Sequence, residues 1–241
     1  MGVPKVGYSA EVMGYGVELS SKTAKKSKSR TRGPRGVDSN AILEAAFKML
    51  SSEGESGFSL RKLGAKAGVD PMTVLHHFGS KEELLRRIAD RALETVALPT
   101  PSDDWRLDLR RVADGYRDLA HRHPRLFHLH FRFNATGPAD HASSEVVYRA
   151  MRKTGLPDGA AAGLGLAFYA FVLGFALAEC EGLLLPLNDG EEAELLALDP
   201  LGYPATRAFI PAFKKLNPDT AFDAAITAFI QGVALRAAGK R

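Results

Sequence analysis

Between Asp38 and Leu93 the chain is cut into short helical lengths by capping residues and glycines, and this punctuation constrains the fold more than any other feature. Asp38 caps a first helix from Ser39 to about Ser52. Ile42, Leu43, Ala46, Phe47 and Leu50 form its apolar stripe, and Gly54 is its stop. Ser59 caps a second helix, Leu60–Ala67, which Gly68 ends. Asp70 caps a third, ending near His77, with Pro71 at its first position, where no N–H is needed, and Gly79 after it. Ser80-Lys81-Glu82-Glu83 reads as a capping box opening a fourth helix, with Leu84, Leu85, Ile88 and Ala92 inward. Isolated helices of this length are marginal in water, so these form by packing on one another. Helix, glycine turn, short helix is helix-turn-helix order, in which the second helix can enter a major groove. An ordinary helical hairpin has the same turn.

Beyond a junction at Pro99–Asp103 the periods are helical and no strand pattern occurs, so the fold class is all-α. Trp105, Leu109, Val112, Tyr116 and Leu119 mark one helix. Others are expected at Leu126–Phe133, Ala142–Lys153, Asp158 to about Leu185, Glu191–Leu198, Thr206–Leu216 and Pro218–Ala238, the last capped by Asn217. The chain therefore divides into a tail (1–37), a helix-turn-helix domain (38–95) and a C-terminal helical domain (100–241). The tail carries eight Lys/Arg against two Glu in a chain of net charge +4, and is too polar to bury a core, so it is predicted disordered. Basic arms of this kind bind nucleic acid or act as solvated extensions. The single cysteine, Cys180, excludes an intrachain disulfide, and Met1–Ser20 lacks the apolar run of a signal peptide; a cytoplasmic protein is expected.

The block GFSLRKLGAKAGVDPMTVLHHFGSKEELL, Gly57–Leu85, resembles the DNA-binding domain of the tetracycline-repressor (TetR) family. It has that family's Gly-Phe-Ser helix start with Leu63, its Ala65-Lys66-Ala67-Gly68-Val69 turn, and its Phe78-Gly79-Ser80-Lys81-Glu82-Glu83-Leu84 close. One departure stands out: Leu75 occupies a place where the family commonly has a phosphate-contacting tyrosine. The resemblance implies a homodimer on double-stranded DNA carrying a palindromic operator, most simply a repressor released by a small apolar or amphipathic ligand. Carried over position by position, Arg61 reads a base, and Pro71, Met72 and Thr73 face base edges. His76 and His77 approach the DNA backbone, Lys81 binds a phosphate, and Ser59 or Leu60 sets a helix N-terminus near another. For Met72, packing and thymine contact remain equal alternatives; for Val74, Leu75 and Phe78, core packing is expected. A ligand-independent DNA-binding or nucleoid-associated protein of the same fold is the alternative function.

Ten of thirteen phenylalanines follow residue 98. Bulky aromatics with polar tips can line an apolar cavity, and the resemblance places one between the helices of 105–178. Tyr116, Phe127, His130, Phe131, Met151 and Phe168 are the candidate lining residues. Gly159–Ala178 has no charged residue, which meets a membrane-span length, but about half of it is Ala and Gly and no Lys or Arg flanks it. Leu164, Phe168, Phe171 and Phe175 make one stripe on it, and Ala161, Gly165, Val172 and Ala176 another. The last helix pairs Phe222, Ile226, Phe229 and Val233 with Ala221, Ala225, Ala228 and Gly232. Two apolar faces on each helix suit a protomer core and a partner subunit, as in the family's four-helix dimer interface, rather than a membrane. His121, His123, His128 and His130 crowd together, but residues two apart point to different helix faces. No metal site, cofactor or catalytic residue is expected, and a metal-dependent enzyme is the weak alternative. Gly-x-Ser-x-Gly and glycine-rich phosphate loops are missing from the sequence.

The tail can be tested directly. If it is an arm on DNA, deleting residues 1–36 weakens binding to all sequences and flattens its salt dependence, because fewer counterions are released. A tail that is only solvated leaves affinity and salt slope unchanged.

Overall fold

The computed structural model describes residues 38–97, 99–133 and 135–239, so the expectations for the tail fall outside it. Among the described residues every regular element is helical: α1 (Ser39–Gly57), α2 (Leu60–Ala67), α3 (Pro71–Phe78), α4 (Lys81–Leu93), α5 (Trp105–Arg122), α6 (Pro124–Phe127), α7 (Leu129–Arg132), α8 (Pro138–Lys153), α9 (Asp158–Cys180), α10 (Asp189–Ala197), α11 (Pro204–Phe213) and α12 (Pro218–Ala238).

The local capping logic decides the first four. Asp38, Ser59, Asp70 and Ser80 each accept a backbone N–H of the following turn, from Asn40, Lys62, Met72 and Glu83 respectively. Only half of the expected capping box forms at Ser80, because the Glu83 carboxylate turns to Arg86 and Arg87. Gly54 breaks α1 with φ 70°, and a last turn continues to Gly57. Gly68 is left-handed (φ 68°, ψ 31°), and the N–H of Val69 closes on Gly64 O at 2.8 Å. Gly64 has a separate role: a Cβ there would lie 2.6 Å from Val69 O and 3.2 Å from Pro71 N. A side chain at 64 would push α3 away from α2. Leu50, Phe58, Leu63, Val74, Phe78, Leu85 and Ile88 fill the space so enclosed. Each contributes about 1.5–3 kcal/mol by burial.

The other helices form the body. α5, α8 and α9 pack on one another, α12 lies against α5 and α9, and α10 packs on α11. The expected single helix over Leu126–Phe133 is instead two one-turn helices, with an i→i+3 bond from Phe131 N to His128 O at the junction. α8 starts four residues earlier than the sequence pattern shows. α9 ends at Cys180 rather than Leu185, with Gly182 at φ 85° beyond it.

The stripes on α9 are used differently from the simplest expectation. The small-residue stripe, Ala161, Gly165, Val172 and Ala176, is buried inside the protomer together with Phe168. A Cβ on Gly165 would meet the Tyr148 ring at 2.8 Å, so the small residues let α8 approach. The aromatic stripe packs on α12: Phe171 stacks on Phe229 (5.5 Å between centroids) and Phe175 meets Phe222 edge-on (5.3 Å). A third α9 face, Ala162, Gly163, Leu166, Ala167 and Ala170, is exposed, as are Ala224, Thr227, Ala228, Gly232 and Leu235 on α12. Both helices are long and apolar enough by composition to cross a membrane, but each carries one face packed on the protomer.

Head and body meet along three joints. α1 packs on α6, and α4 packs on α7 and α8. At the last joint Asp90 of α4 is buried and caps α8 from a distance. Its Oδ1 accepts from the N–H groups of Ala139 (3.1 Å) and Asp140 (3.2 Å) and from Thr136 Oγ1 (3.3 Å). Gly137 leaves the room for this, since a Cβ there would lie 2.5 Å from Asp90 Oδ2.

Candidate DNA interface and ligand cavity

The outer face of α2, α3 and the start of α4 carries most of the residues expected on DNA. Arg61, Met72, His76 and Lys81 are exposed, Met72 at 68%. Ser59, Leu60, Pro71 and Thr73 are half-buried beside them. Val74 and Phe78 are core residues, as expected, whereas Leu75 is half-buried. Lys62 is held by its own protein, donating to Gly57 O at 2.8 Å with Glu53 at 3.7 Å. Lys81 Nζ lies 5.8 Å above the Phe58 ring, which holds the ammonium at the mouth of the turn. The two histidines separate: His76 faces outward, while His77 turns in and encloses an Nε2 without a partner.

A cavity of about 230 Å³ lies between α5, α7, α8 and α9. Tyr116, His130 and Phe131 line it. Phe127, Met151 and Phe168 do not; all three are fully buried in the core, which corrects the expectation that they line a cavity. Phe133, Asp140, Ser144, Tyr148, Leu166, Tyr169, Ala170 and Leu173 complete the wall. Asp140, Ser144 and Tyr148 are spaced by four on α8, a helical signal that appears in the sequence only when the helix is begun at Pro138 rather than Ala142.

The chemistry of this wall follows from its hydrogen bonds. Tyr116 Oη donates to Asp140 Oδ1 at 3.3 Å, and Thr136 N–H donates to Oδ2 at 3.3 Å. Burial, with Tyr169 and Asp140 nearby, holds the Tyr116 phenol far above its ordinary pKa. Burial likewise pushes Tyr169 up to about 12, so both remain hydroxyl donors. Desolvation raises the Asp140 carboxyl above the usual aspartate value, with the Asp90 charge adding to it. His130 is buried and its Nε2 has no partner; burial, then the neighbouring His128, pushes its pKa down to about 4.

The four crowded histidines go to separate places. His121 reaches Glu179 (3.1 Å), His123 packs edge-on to Phe47 (5.0 Å), and His128 meets Glu55 (3.0 Å). His130 faces Tyr116 and Phe127.

α7 stands between cavity and head. His130 and Phe131 face the cavity, with Phe133 just beyond the helix, while Arg132 reaches the other way. Arg132 donates to Glu55 at the end of α1 (2.9 Å) and to both carboxylate oxygens of Glu82 at the start of α4 (2.8 Å each). Glu55 is held below its ordinary pKa mainly by the His128 hydrogen bond, and by Arg132.

Residues 42–88 match the pattern of the bacterial regulatory proteins of the tetR family, and residues 98–237 match the tetracyclin repressor-like C-terminal domain. The chain belongs to the TetR family. It is a DNA-binding transcriptional regulator with a helix-turn-helix head and a helical body. It is 29% identical over 202 residues to the class A tetracycline repressor from transposon 1721 in Escherichia coli, covering 82% of this chain and 90% of that one. It is 30% identical over 131 residues to the transcriptional repressor DrrR1 of Streptomyces coeruleorubidus, covering 53% and 48%. Its fold is similar to that of apo ActR of Streptomyces coelicolor, with a TM-score of 0.74 at 23% identity over 84% of this chain and 97% of that one. ActR in complex with actinorhodin gives a TM-score of 0.73 at 23% identity over 83% and 97%.

The buried histidine of this TetR-family chain has a stability consequence. An unfolded His130 takes up a proton near pH 6.5, whereas the folded one stays neutral until about pH 4. Its contribution is therefore fully present above about pH 6.5 and is lost as the pH falls from there to about 4. The loss is at most on the order of 3 kcal/mol. Urea unfolding of wild type and His130→Gln across that range should show a steeper acid decline for wild type. Parallel curves would show that the imidazole is not kept neutral.

Proposed function

We propose that this regulator is a cytoplasmic homodimeric repressor that holds a palindromic operator through residues 38–95 and lets go when a small amphipathic ligand fills the cavity in residues 100–241. The observation that carries the reading is α7, which turns His130 and Phe131 to the cavity on one side and clamps Glu55 and Glu82 of the head through Arg132 on the other. A ligand pressing on His130, Phe131 or Phe133 has a direct route to the start of α4 and thus to Lys81. ActR, a protein of similar fold, has been seen with actinorhodin bound, which supports a ligand role for the body. The ligand favours a state in which the two recognition helices no longer match successive major grooves, about 34–36 Å apart.

On the operator, Arg61 reads a base, Met72 and Thr73 with Pro71 meet base edges, and Lys81 takes a phosphate. His76, facing outward, approaches a second phosphate; His77 can reach DNA only through the ring edge not enclosed by the head. Ser59 and Leu60 bring the α2 N-terminus near the backbone. The exposed faces of α9 and α12 join two protomers in a four-helix contact.

Two experiments test this reading. Arg61→Ala is expected to cost about 1–3 kcal/mol on the operator and relax preference at one base pair per half-site. Lys81→Ala should weaken all DNA alike and reduce the salt slope by about one unit for each phosphate that is no longer neutralised. A randomised-operator selection at two salt concentrations separates them, and unchanged base preference in Arg61→Ala removes that residue from the readout. The second experiment addresses assembly: Ala228→Arg on the exposed face of α12 should give monomers by sedimentation and abolish operator binding. A wild-type monomer at micromolar concentration would overturn the dimer.

A further inference from the structure

The cavity wall has an unusual charge balance. It carries one carboxylate, Asp140, and no Lys or Arg. Among the described residues no Lys or Arg forms an ion pair with Asp140 or with Asp90 of α4 beside it, and the cationic group that bears on Asp140 is the exposed His141, next along α8. The helix N-terminus offsets part of one negative charge, and Asp90 already takes the two backbone N–H groups there. Asp140 is left with two contacts of 3.3 Å, long against the roughly 2.5–2.7 Å of a strong O–H···O⁻ bond. Half-buried carboxylates without a counter-charge are costly, and such groups are normally paired.

The rest of the wall is aromatic. Tyr116, Tyr148, Tyr169, Phe131 and Phe133 share the wall with the carboxylate, with Tyr116 and Tyr169 edge to face at 5.6 Å. Aromatic faces attract cations and disfavour anions. His130, more than nine-tenths buried, adds a ring nitrogen without a partner to the same wall. The opening is lined by Phe131 and Leu166, which are 48% and 62% exposed, so the apolar part of a ligand can rest there.

We infer that the cavity takes a ligand bearing a protonated amine, whose charge pairs with Asp140 among the tyrosines and phenylalanines of the wall. This inference rests on the reading of the cavity as the effector site. It narrows the ligand to organic cations of about one or two rings, since about 230 Å³ lies below the roughly 300–1,000 Å³ common for drug-sized ligands. Asp140 also connects to the head, because its own N–H is one of the two that Asp90 of α4 accepts.

Three probes of one skeleton test the charge: phenethylamine, phenethyl alcohol and phenylacetate, titrated calorimetrically into the full-length protein at neutral pH. The amine is expected to bind at least about tenfold more tightly than the alcohol, and phenylacetate most weakly. In Asp140→Asn, checked for native helicity by circular dichroism, amine and alcohol should bind within about twofold of each other. The wild-type series decides without the variant. Equal binding of amine and alcohol, tighter binding of phenylacetate, or an amine preference that survives in folded Asp140→Asn would overturn the cationic class while leaving the cavity as a ligand site. Failure of all three probes to bind a protein that still binds operator DNA would overturn both.

Discussion

One buried carboxylate ties the head of this regulator to the wall of its cavity. Asp90 belongs to α4, the last helix of the head, yet it serves as the cap for α8, the helix that forms one wall of the cavity. A helix start leaves backbone N–H groups without partners, and a buried start must find them elsewhere. Here they are found some fifty residues upstream in the chain, at a cost in space that only a glycine at 137 can meet. Any rotation of α4 relative to the body must therefore either carry α8 with it or break these bonds. Arg132 adds a second tie at the other end of α4, where it grips Glu82 while α7 faces the cavity. Both ends of α4 are thus fastened to elements that line one cavity.

Under the proposed reading, this arrangement gives a ligand in the cavity leverage without a long pathway. Asp140 lies in the first turn of α8 and touches Tyr116 in the cavity; its N–H touches Asp90 in the head. Allosteric coupling requires only that a ligand interact differently with two arrangements of such an element. The ion pairs around α7 are partly exposed and individually modest, which suits the joint that the proposed release would open. The apolar core, by contrast, is continuous, running from Leu50, Leu63 and Ile88 of the head to Leu109, Phe127 and Phe168 of the body.

The helices α9 and α12 show how one sequence can hide three requirements in a single apolar run. Small residues on α9 face α8 so that the backbones approach, aromatic residues face α12, and the remaining Ala, Gly and Leu face outward. Arg117 fastens the arrangement, donating to Glu179 at 2.8 and 2.6 Å and to Asp219 at 2.7 Å. The Arg117 hydrogen bonds to Glu179 hold that carboxyl below its ordinary pKa.

What is legible in the amino-acid sequence is whatever depends on neighbours in the chain. The caps at Asp38, Ser59, Asp70, Ser80 and Asn217 act over two or three residues, so the boundaries of α2 and α12 and the helix-turn-helix order can be read directly. The exposed side chains Arg61, Met72, His76 and Lys81 follow from the same local geometry. The start of α8 cannot be read, because its cap is Asp90, distant in sequence, and a helix begun at Ala142 leaves Asp140 outside it. Eight of the eleven residues of the cavity wall escape the sequence, and half of the six candidates fall elsewhere, for a related reason. Phe127, Met151 and Phe168 have the right chemistry, but the packing of α5, α8 and α9 turns them into the core. The sequence by itself determined the helix-turn-helix order of the head and the span of α12, because hydrogen bonds between close residues specify them. Only the tertiary structure decided which aromatic rings enclose space and which carboxylate is left facing it, because that depends on how helices far apart in the chain are set against one another.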